Sequence, residues 1–419
     1  MSESIEVLGG RARAAAQVLA LSTGAARNRA LAAMAQALEA QEGEILAANA
    51  RDMAAAVASG MSGALQDRLR LTPARIASMR EGVRAIAGES DPVGLVLGGG
   101  VRPNGLRVER VSVPLGVIAV IFEARPNVAA DAAALCIKSC NAVILRGGKE
   151  AIASNTAIVA ALRGALAAAG LPADGVQLVE DTTRKSAQAL MQATGLVDVL
   201  IPRGGAGLIR AVVEQARVPV IETGAGVCHV YADAAADVET AVNIIENAKT
   251  TRPSVCNAIE TILVHQAIAP ALLPALAARL AAWPVELRCD AAALALLPGD
   301  PNATPATEAD WATEYGELIL AVKVVDSIEE AMAHIRRYGT KHSECIVTQE
   351  YAAAQRFLRE VDAAAVYVNA STRFTDGGEF GYGAEIGIST QKLHARGPLG
   401  LRHLTSEKYM IYGEGQIRI

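Results

Sequence analysis

The region from residue 115 to about residue 226 alternates short apolar runs with longer segments of helical periodicity. This alternation constrains the fold more than any other feature. Fully apolar runs over residues 116–122 and 142–145 predict buried strands, because parallel strands covered on both faces lose the usual polar alternation. Glycine and polar residues end each run, and a helix-periodic segment follows. Repeated strand–helix units predict an α/β fold with a doubly wound parallel sheet.

Other regions are predicted from their local patterns. Residues 8–90 have helical periodicity, and a second α/β unit is predicted beyond residue 227. Asn104-Gly105 between alternating segments predicts a β-hairpin within residues 98–113. We also expect a strand over residues 218–221 and a Pro- and Ala-rich loop from the end of a helix near residue 282 to about residue 310.

Composition narrows the class of protein. Apolar residues make up 52% of the chain but aromatic residues only 3%, which suits aliphatic helices packed on buried strands. The net charge of −5 comes without a basic block, so a nucleic-acid or membrane partner is not expected. No signal-peptide pattern or apolar run of about 18 residues is present. The six cysteines show no zinc-site spacing, so we predict no metal and a reducing, cytoplasmic setting.

Several polar residues and glycines come directly after predicted strands. In a doubly wound sheet, ligands bind at the carboxyl ends of the strands. The loop over residues 203–207 is glycine-rich and opens a helix, so it predicts either a phosphate site or only a tight turn. Two cations in the neighbouring loop suit the 2′-phosphate of NADP or are solvated charges. The strand-end residues are Asn127, Arg146, Gly147, Lys149, Gly204, Gly205 and Glu222.

Cys256 lies in a polar segment between a predicted helix and a predicted strand. Arg252 precedes it and Asn257 follows it. A nearby cation favours the thiolate, which is the nucleophilic form of cysteine. The alternative is an inert, buried thiol, because the sequence assigns no base to Cys256.

Two further polar features have alternative interpretations. Asn127 at the start of a helix is either an N-cap or an amide donor to an oxyanion. The polar stretch 334–344 and the Gly-ended loop 369–378 suit a small charged substrate, or are a solvated surface and an ordinary connection.

Longer motifs give a specific resemblance. The chain resembles the γ-glutamyl phosphate reductase family of the aldehyde dehydrogenase superfamily over nearly its whole length. The most specific motif is the segment from Val325 to Ile346, which includes His334-Ile335 and Tyr338-Gly339-Thr340. The other matching motifs are Glu123-Ala-Arg-Pro-Asn127, Leu145-Arg-Gly-Gly-Lys-Glu150, Pro202-Arg-Gly-Gly-Ala-Gly-Leu208, Arg252-Pro-Ser-Val-Cys256, Ala370-Ser-Thr-Arg-Phe-Thr-Asp-Gly377 and Gly383-Ala-Glu-Ile-Gly-Ile-Ser-Thr390.

The resemblance implies an architecture and a reaction. The expected parts are a cofactor-binding domain (1–97 and 114–226), a catalytic domain (227–397), and an oligomerisation arm with a C-terminal tail (98–113 and 398–419). Family members use NADPH to reduce L-glutamyl 5-phosphate to glutamate 5-semialdehyde and phosphate, the second step of proline biosynthesis from glutamate. The resemblance implies a homo-oligomer and a separate glutamate 5-kinase as the source of the acyl phosphate.

The resemblance also assigns residues. Cys256 matches the superfamily nucleophile and Asn127 its oxyanion asparagine, while Glu222 falls near a general base that this reaction does not require. Arg146 matches the ribose-binding position and Glu314 the nicotinamide-ribose glutamate. Expected substrate contacts are Arg252, Asn257, His342, Ser371 and Arg373. Cys140 is a departure, since glycine is usual there. The alternatives are an ordinary aldehyde-oxidising dehydrogenase and a cofactor-binding protein without catalysis.

Overall fold

The computed structural model describes residues 3–418, so the expected domain limits at residues 1 and 419 lie outside the described residues. The α-helices are α1 (Ile5–Ala20), α2 (Gly24–Ala40), α3 (Glu42–Ala58), α4 (Gly63–Leu69), α5 (Pro73–Gly88), α6 (Asn127–Lys138), α7 (Ile152–Ala168), α8 (Arg184–Met191), α9 (Ala206–Gln215), α10 (Val238–Thr250), α11 (Ala269–Leu280), α12 (Ala291–Ala295), α13 (Ile328–Tyr338) and α14 (Tyr351–Glu360).

The strands are β1 (Val96–Val101), β2 (Arg107–Pro114), β3 (Val117–Phe122), β4 (Ala142–Gly147), β5 (Val176–Leu178), β6 (Val199–Arg203), β7 (Cys228–Ala232), β8 (Ile259–His265), β9 (Glu286–Cys289), β10 (Ala303–Pro305), β11 (Ile319–Val325), β12 (Ser343–Val347), β13 (Ala365–Val368), β14 (Ile388–Ser389), β15 (Gly397–Pro398) and β16 (Thr405–Tyr412).

The chain divides into two compact units. Unit 1 comprises residues 1–223, 381–387 and 398–419. Unit 2 comprises residues 224–380 and 388–397. The hairpin and the C-terminal tail both fall within unit 1.

Unit 1 contains a parallel sheet with the strand order β5-β4-β3-β6. The side chains of β3 are buried along its whole length, as expected for a central strand covered on both faces. Chain order runs outward from β3 through β4 to β5 and then returns to β6 on the other side. This reversal is the mark of a doubly wound sheet, so the predicted fold class is confirmed.

The predicted hairpin is confirmed as β1 and β2, which pair in antiparallel fashion. Gly105 in its turn has a φ of +86°, a conformation that glycine adopts without steric cost. The tail strand β16 pairs with the other edge of β2 along its full length. Hairpin and tail therefore form one three-stranded sheet.

Unit 2 contains a seven-stranded sheet with the order β10-β9-β11-β8-β7-β12-β13. All of its neighbouring strands are parallel. Chain order again reverses beside the first strand, here between β7 and β12, so unit 2 is also doubly wound. Helices α10 and α11 pack on one face, with their apolar side chains in the same core as those of β7 and β8.

The sequence patterns were misleading at two predicted segments, and strand β7 was not predicted. Residues 218–221 form a single bridge, between Leu200 and Val220, and not a strand. The predicted loop before residue 310 contains β9, α12 and β10. These elements are only three to five residues long, too short to show a period, so pairing with β11 supplies the order that the sequence did not reveal.

Helix α6 ends in a left-handed residue that is not glycine. Cys140 has a φ of +63°, the Asn141 N–H donates to the Cys136 carbonyl at 2.8 Å, and the Cys140 N–H donates to the Ile137 carbonyl at 3.1 Å. This is the Schellman ending of a helix, in which glycine is preferred because an added Cβ is strained. The geometry explains why glycine is expected at this position.

Among the described residues, one segment, Lys149–Ala168, is long and apolar enough by composition to cross a membrane. Half of it is buried inside the structure, and its helix α7 packs against α2 and α3. Core helices meet the same criteria of length and composition, so this segment is weak support for a membrane span.

Candidate active site

Cys256 lies at the amino edge of the seven-stranded sheet, between the end of α10 and the start of β8. It is half-buried, whereas the other five cysteines, all within residues 3–418, are buried. A nucleophile must be reachable by its substrate, so this exposure singles out Cys256 among the thiols.

The amino end of β7 supports the backbone of Cys256. A Cβ added to Gly226 would lie 1.6 Å from the Cys256 carbonyl oxygen, so only glycine permits this approach. The Cys228 thiol donates to the same oxygen at 3.2 Å. The main chain at the nucleophile is therefore held by tight packing and a hydrogen bond.

Two arginines lie near Cys256: Arg373 interacts electrostatically with Cys256, and Arg252, four residues before the cysteine, interacts with Arg373. Burial lowers the pKa of Arg373, the charge of Arg252 lowers this pKa further, and the negative charges of Asp376 and of ionised Cys256 raise it. Arg252 is exposed and Arg373 is half-buried. Positive charge at this position favours the thiolate of Cys256 and attracts anionic ligands.

Asn257 holds the segment that carries Arg373. Its amide nitrogen donates to the carbonyls of Arg373 at 3.2 Å and Thr375 at 3.0 Å. Its amide oxygen accepts from the Arg373 guanidinium, and its backbone carbonyl accepts from the Thr372 hydroxyl at 2.7 Å. These contacts occupy Asn257 and fix Arg373 near the cysteine.

Ser371 and His342 are both buried, unlike Arg252 and Arg373. The Ser371 hydroxyl accepts the Arg373 N–H at 3.3 Å and caps a short 3₁₀ turn. His342 is fully buried, and its Nδ1 lies 2.8 Å from the Ser343 hydroxyl. Burial lowers the pKa of His342 to about 4, so its ring is neutral near pH 7. This position and charge argue against a direct role in binding a phosphate.

Glu314 reaches the same edge of unit 2. Its carboxylate accepts the Gly226 N–H at 3.0 Å, beside the close approach to Cys256. The side chain is exposed, which leaves its other oxygen accessible to solvent. Glu314 therefore lies beside the backbone that packs against Cys256, and its role toward the nicotinamide ribose stays a prediction.

A buried ion pair lies beneath Glu314 and has no counterpart in the motifs. Lys249 donates to the Glu260 carboxylate at 2.5 Å and to the Ile259 carbonyl at 2.9 Å. Glu260 also accepts the Gly316 N–H at 3.2 Å. Burial raises the pKa of Glu260 to about 7 and lowers that of Lys249. The sequence feature that could have indicated this ion pair is Glu260, which interrupts the apolar pattern of β8.

Unit 1 holds the glycine loops at the carboxyl edge of its parallel sheet. Strand order reverses between β3 and β6, and the residues that follow these strands include Glu123, Gly204 and Gly205. The Gly205 N–H, at the amino end of α9, donates to a Glu123 carboxylate oxygen at 3.1 Å. The free N–H groups of a helix N-terminus can bind a phosphate oxygen in the same way.

The two cations near the carboxyl end of β4, Arg146 within the strand and Lys149 after it, differ in their surroundings. Arg146 donates to the carbonyls of Thr182 at 2.7 Å and Thr183 at 3.0 Å, and burial lowers its pKa. Lys149 is exposed in the 3₁₀ turn that follows. Gly147 is required by packing, since an added Cβ would lie 2.1 Å from the Asn155 amide nitrogen. Lys149 is thus the more accessible cation for an anionic ligand.

Asn127 is exposed and is the first residue of α6. Pro126 occupies the N-cap, so the N-cap interpretation of Asn127 is wrong. Its amide nitrogen donates to the Asp131 carboxylate at 3.1 Å. Glu222, in the loop before the unit boundary, is half-buried. Asn127, Glu222 and the glycine loops belong to unit 1, and Cys256 with its neighbours belongs to unit 2.

Unit 2 carries an accessible cysteine, and unit 1 carries glycine-rich loops at the carboxyl ends of its strands. The sequence model of the aldehyde dehydrogenase family matches residues 2–294. The chain belongs to this family. The crystal structure of an acetylating aldehyde dehydrogenase from Geobacillus thermoglucosidasius shares the fold, with a TM-score of 0.72 at 18% identity over 99% of this chain and 97% of that one.

Within the family, the similarity is more specific. The chain is 58% identical to gamma-glutamyl phosphate reductase of Moorella thermoacetica, over 99% of this chain and 98% of the relative. The crystal structure of gamma-glutamyl phosphate reductase from Thermotoga maritima matches with a TM-score of 0.95 and 46% identity over 100% of both chains. The chain belongs with the gamma-glutamyl phosphate reductases, and the resemblance drawn from its motifs is confirmed.

Proposed function

We propose that the protein reduces L-glutamyl 5-phosphate to L-glutamate 5-semialdehyde and phosphate with NADPH, the second step of proline biosynthesis. The observation that carries this proposal is the accessible Cys256 beside Arg252 and Arg373, in a chain that matches named reductases over nearly its full length. An acyl phosphate needs a nucleophile for its carbonyl and cations for its phosphate, and this edge of unit 2 offers both.

The residues of the chain account for the acyl-transfer step. The Cys256 thiolate attacks the acyl carbon, the bond from that carbon to the phosphate oxygen breaks, and phosphate leaves as a thioester forms on Cys256. Arg252 and Arg373 stabilise the departing phosphate. Asn127 donates an N–H to the oxyanion of the tetrahedral state, a contact that can contribute ~3 kcal/mol. The Cys256 thiolate is released again when the aldehyde forms.

A reductase of the aldehyde dehydrogenase family uses a nicotinamide cofactor. The chemistry that this cofactor supplies when bound is the hydride. Gly204 and Gly205 fit its pyrophosphate, because the Gly205 N–H already binds a carboxylate oxygen at the start of α9. Gly147, Lys149 and Arg146 border the expected ribose 2′-phosphate, and Glu314 is the candidate for the nicotinamide ribose.

The preference for NADPH is expected to depend on Lys149. The substitution Lys149→Glu places a negative charge where the 2′-phosphate is expected, so NADPH affinity should fall at least about tenfold. NADH lacks that phosphate and is the matched control, with a change of less than about threefold expected. Titrations of both cofactors by fluorescence test this. An equal loss for both would deny that Lys149 binds the 2′-phosphate.

The reaction is tested in reverse, with glutamate 5-semialdehyde and NADP⁺. Cys256 can release its acyl group to phosphate, so reduction of NADP⁺ should require inorganic phosphate and give glutamyl phosphate. An ordinary aldehyde dehydrogenase would reduce NADP⁺ equally well without phosphate, and that result would overturn the proposal. Cofactor binding without turnover under either condition would favour a non-catalytic scaffold.

We propose a cytoplasmic homo-oligomer that receives its unstable substrate from a separate glutamate 5-kinase. The three-stranded sheet of β1, β2 and β16 supports an oligomerisation arm, since Val96, Val101, Tyr409 and Ile411 are exposed apolar residues on its edge strands. The mass in solution tests the oligomer. Mixing with the kinase tests the association, through binding and through protection of the acyl phosphate.

A further inference from the structure

The Asp131 carboxylate is one helical turn beyond Asn127 on α6. Residues at this spacing face the same side of a helix. The Asn127 amide nitrogen donates to Asp131 Oδ2 at 3.1 Å. Asp131 was not singled out by any sequence motif, and the reaction scheme above leaves it without a role.

The hydrogen bond selects one orientation of the Asn127 amide. The oxygen and nitrogen of an asparagine amide are nearly equal in size, so packing alone does not distinguish the two orientations. An ionised carboxylate accepts hydrogen bonds but cannot donate them, so it binds the NH₂ end. The NH₂ group has two hydrogens, and one of them remains available for another acceptor.

Two other elements of unit 1 border the Asp131 carboxylate. A Cβ on Gly82 of α5 would lie only 3.7 Å from Asp131 Oδ1, so α5 covers this oxygen without a side chain. The positive charge of Arg203, at the end of β6, lowers the pKa of Asp131. Burial raises the pKa of Asp131 to about 6, while the Asn127 hydrogen bond and Arg203 oppose this shift.

We propose that Asp131 is a positioning residue for Asn127, holding the amide with its free N–H toward the developing oxyanion. The proposal rests on the function of Asn127 proposed above. Without the carboxylate, the amide samples both orientations and presents its oxygen to the oxyanion part of the time. Misorientation of a donor lowers the rate of the chemical step more than it affects binding of substrate or cofactor.

A double-mutant cycle on the full-length enzyme tests this coupling. Asn127→Ala should lower kcat by about 100-fold or more. Asp131→Leu, which keeps the shape but removes the acceptor, should lower kcat about tenfold and leave the KM for substrate within about threefold. In the Asn127→Ala background, Asp131→Leu should have almost no further effect on kcat. An equal loss of kcat in both backgrounds would overturn the proposal, because the effects of the two substitutions add when the residues act independently.

The pH profile provides a second measurement if the leucine variant folds poorly. Asp131→Asn keeps an acceptor oxygen but also carries donors, and it does not titrate. The ratio of native kcat to Asp131→Asn kcat should fall toward one between pH 7.5 and pH 5, because protonation removes the native carboxylate. A ratio that is constant over this range would contradict the proposal.

The controls separate this proposal from the proposed function. Asp237→Asn is the matched control, since Asp237 caps α10 through the Thr240 N–H at 2.8 Å and asparagine caps equally well. It should keep native kcat. If Asn127→Ala itself keeps native kcat, the proposed oxyanion role fails. If Asn127→Ala is impaired but the cycle is additive, only the role of Asp131 fails.

Discussion

Replacing Cys256 by serine is expected to reduce turnover by at least about 1000-fold while leaving NADPH affinity within about twofold of native. A serine hydroxyl is almost entirely protonated near pH 7, so the charges of Arg252 and Arg373 have no thiolate to stabilise. Serine is similar in size to cysteine and position 256 is half-buried, so unit 2 should fold normally. The phosphate-dependent reduction of NADP⁺ measures the loss.

The control for this substitution is Cys289→Ser. Cys289 is buried on β9, where its thiol donates to the Leu287 carbonyl at 3.7 Å, and it lies outside the segment that carries Cys256. This variant should retain turnover. Activity of Cys256→Ser within tenfold of native would remove the covalent mechanism. A loss of NADPH binding by Cys256→Ser would mean that the change disturbs more than the nucleophile.

The substitution Lys249→Met is expected to lower the free energy of unfolding by about 3–5 kcal/mol. Lys249 is fully buried and Glu260 is 1% exposed, so the glutamate loses its charged partner without gaining water. Denaturant unfolding at constant pH measures the change. Because Glu260 also accepts the Gly316 N–H near Glu314, cofactor affinity should weaken in parallel.

The cost of Lys249→Met should rise with pH. Burial raises the folded-state pKa of Glu260 to about 7, above its usual value, and removal of the lysine raises it further. In the pH range where Glu260 is protonated in the folded state but ionised in the unfolded state, the free energy of unfolding decreases as pH increases. The variant should therefore be less destabilised at pH 5.5, where Glu260 is protonated, than at pH 8. A pH-independent difference would contradict the coupling.

The double variant Lys249→Met with Glu260→Gln is the matched control. Glutamine is neutral, and its side-chain oxygen can still accept the Gly316 N–H. More than half of the lost stability should return, since no uncompensated charge remains. If the double variant is as unstable as the single one, the loss comes from packing around residue 249 and not from the unpaired carboxylate.

The sequence predicted the strands of unit 1 well because their apolar runs and the glycines that end them are adjacent in the chain. Strand β3 is an uninterrupted apolar run, and glycine follows β4 and β6. Strand β7 was missed because His229 interrupts its apolar pattern. The His229 ring is fully buried and its Nδ1 lies 2.9 Å from the Glu344 carboxylate, a partner that only the fold brings near. The contact with Glu344 allows a histidine to be buried in β7, so this strand lacks the continuous apolar pattern that would have predicted it.

The candidate site was predictable as a set of motifs but not as a set of contacts. Cys256 was singled out as the candidate nucleophile by its polar segment and by the family resemblance. The partners of Arg146, Asn257 and His342 were not, because each depends on residues distant in sequence, such as the Thr182 carbonyl for Arg146. The glycine loops of unit 1 lie at the carboxyl ends of its strands, where the rule for doubly wound sheets expects ligands. In unit 2 the residues around Cys256 lie at the amino edge.

That placement leaves the opposite edge of the seven-stranded sheet free for engineering. The seven residues of β8 separate Cys256 from the loop at Gln266-Ala267 by about 20 Å. Gln266 and Ala267 are exposed. A fluorescent reporter or an immobilisation tag inserted in this loop would therefore lie at the edge of the sheet opposite Cys256, and it would leave the segment around the cysteine unmodified.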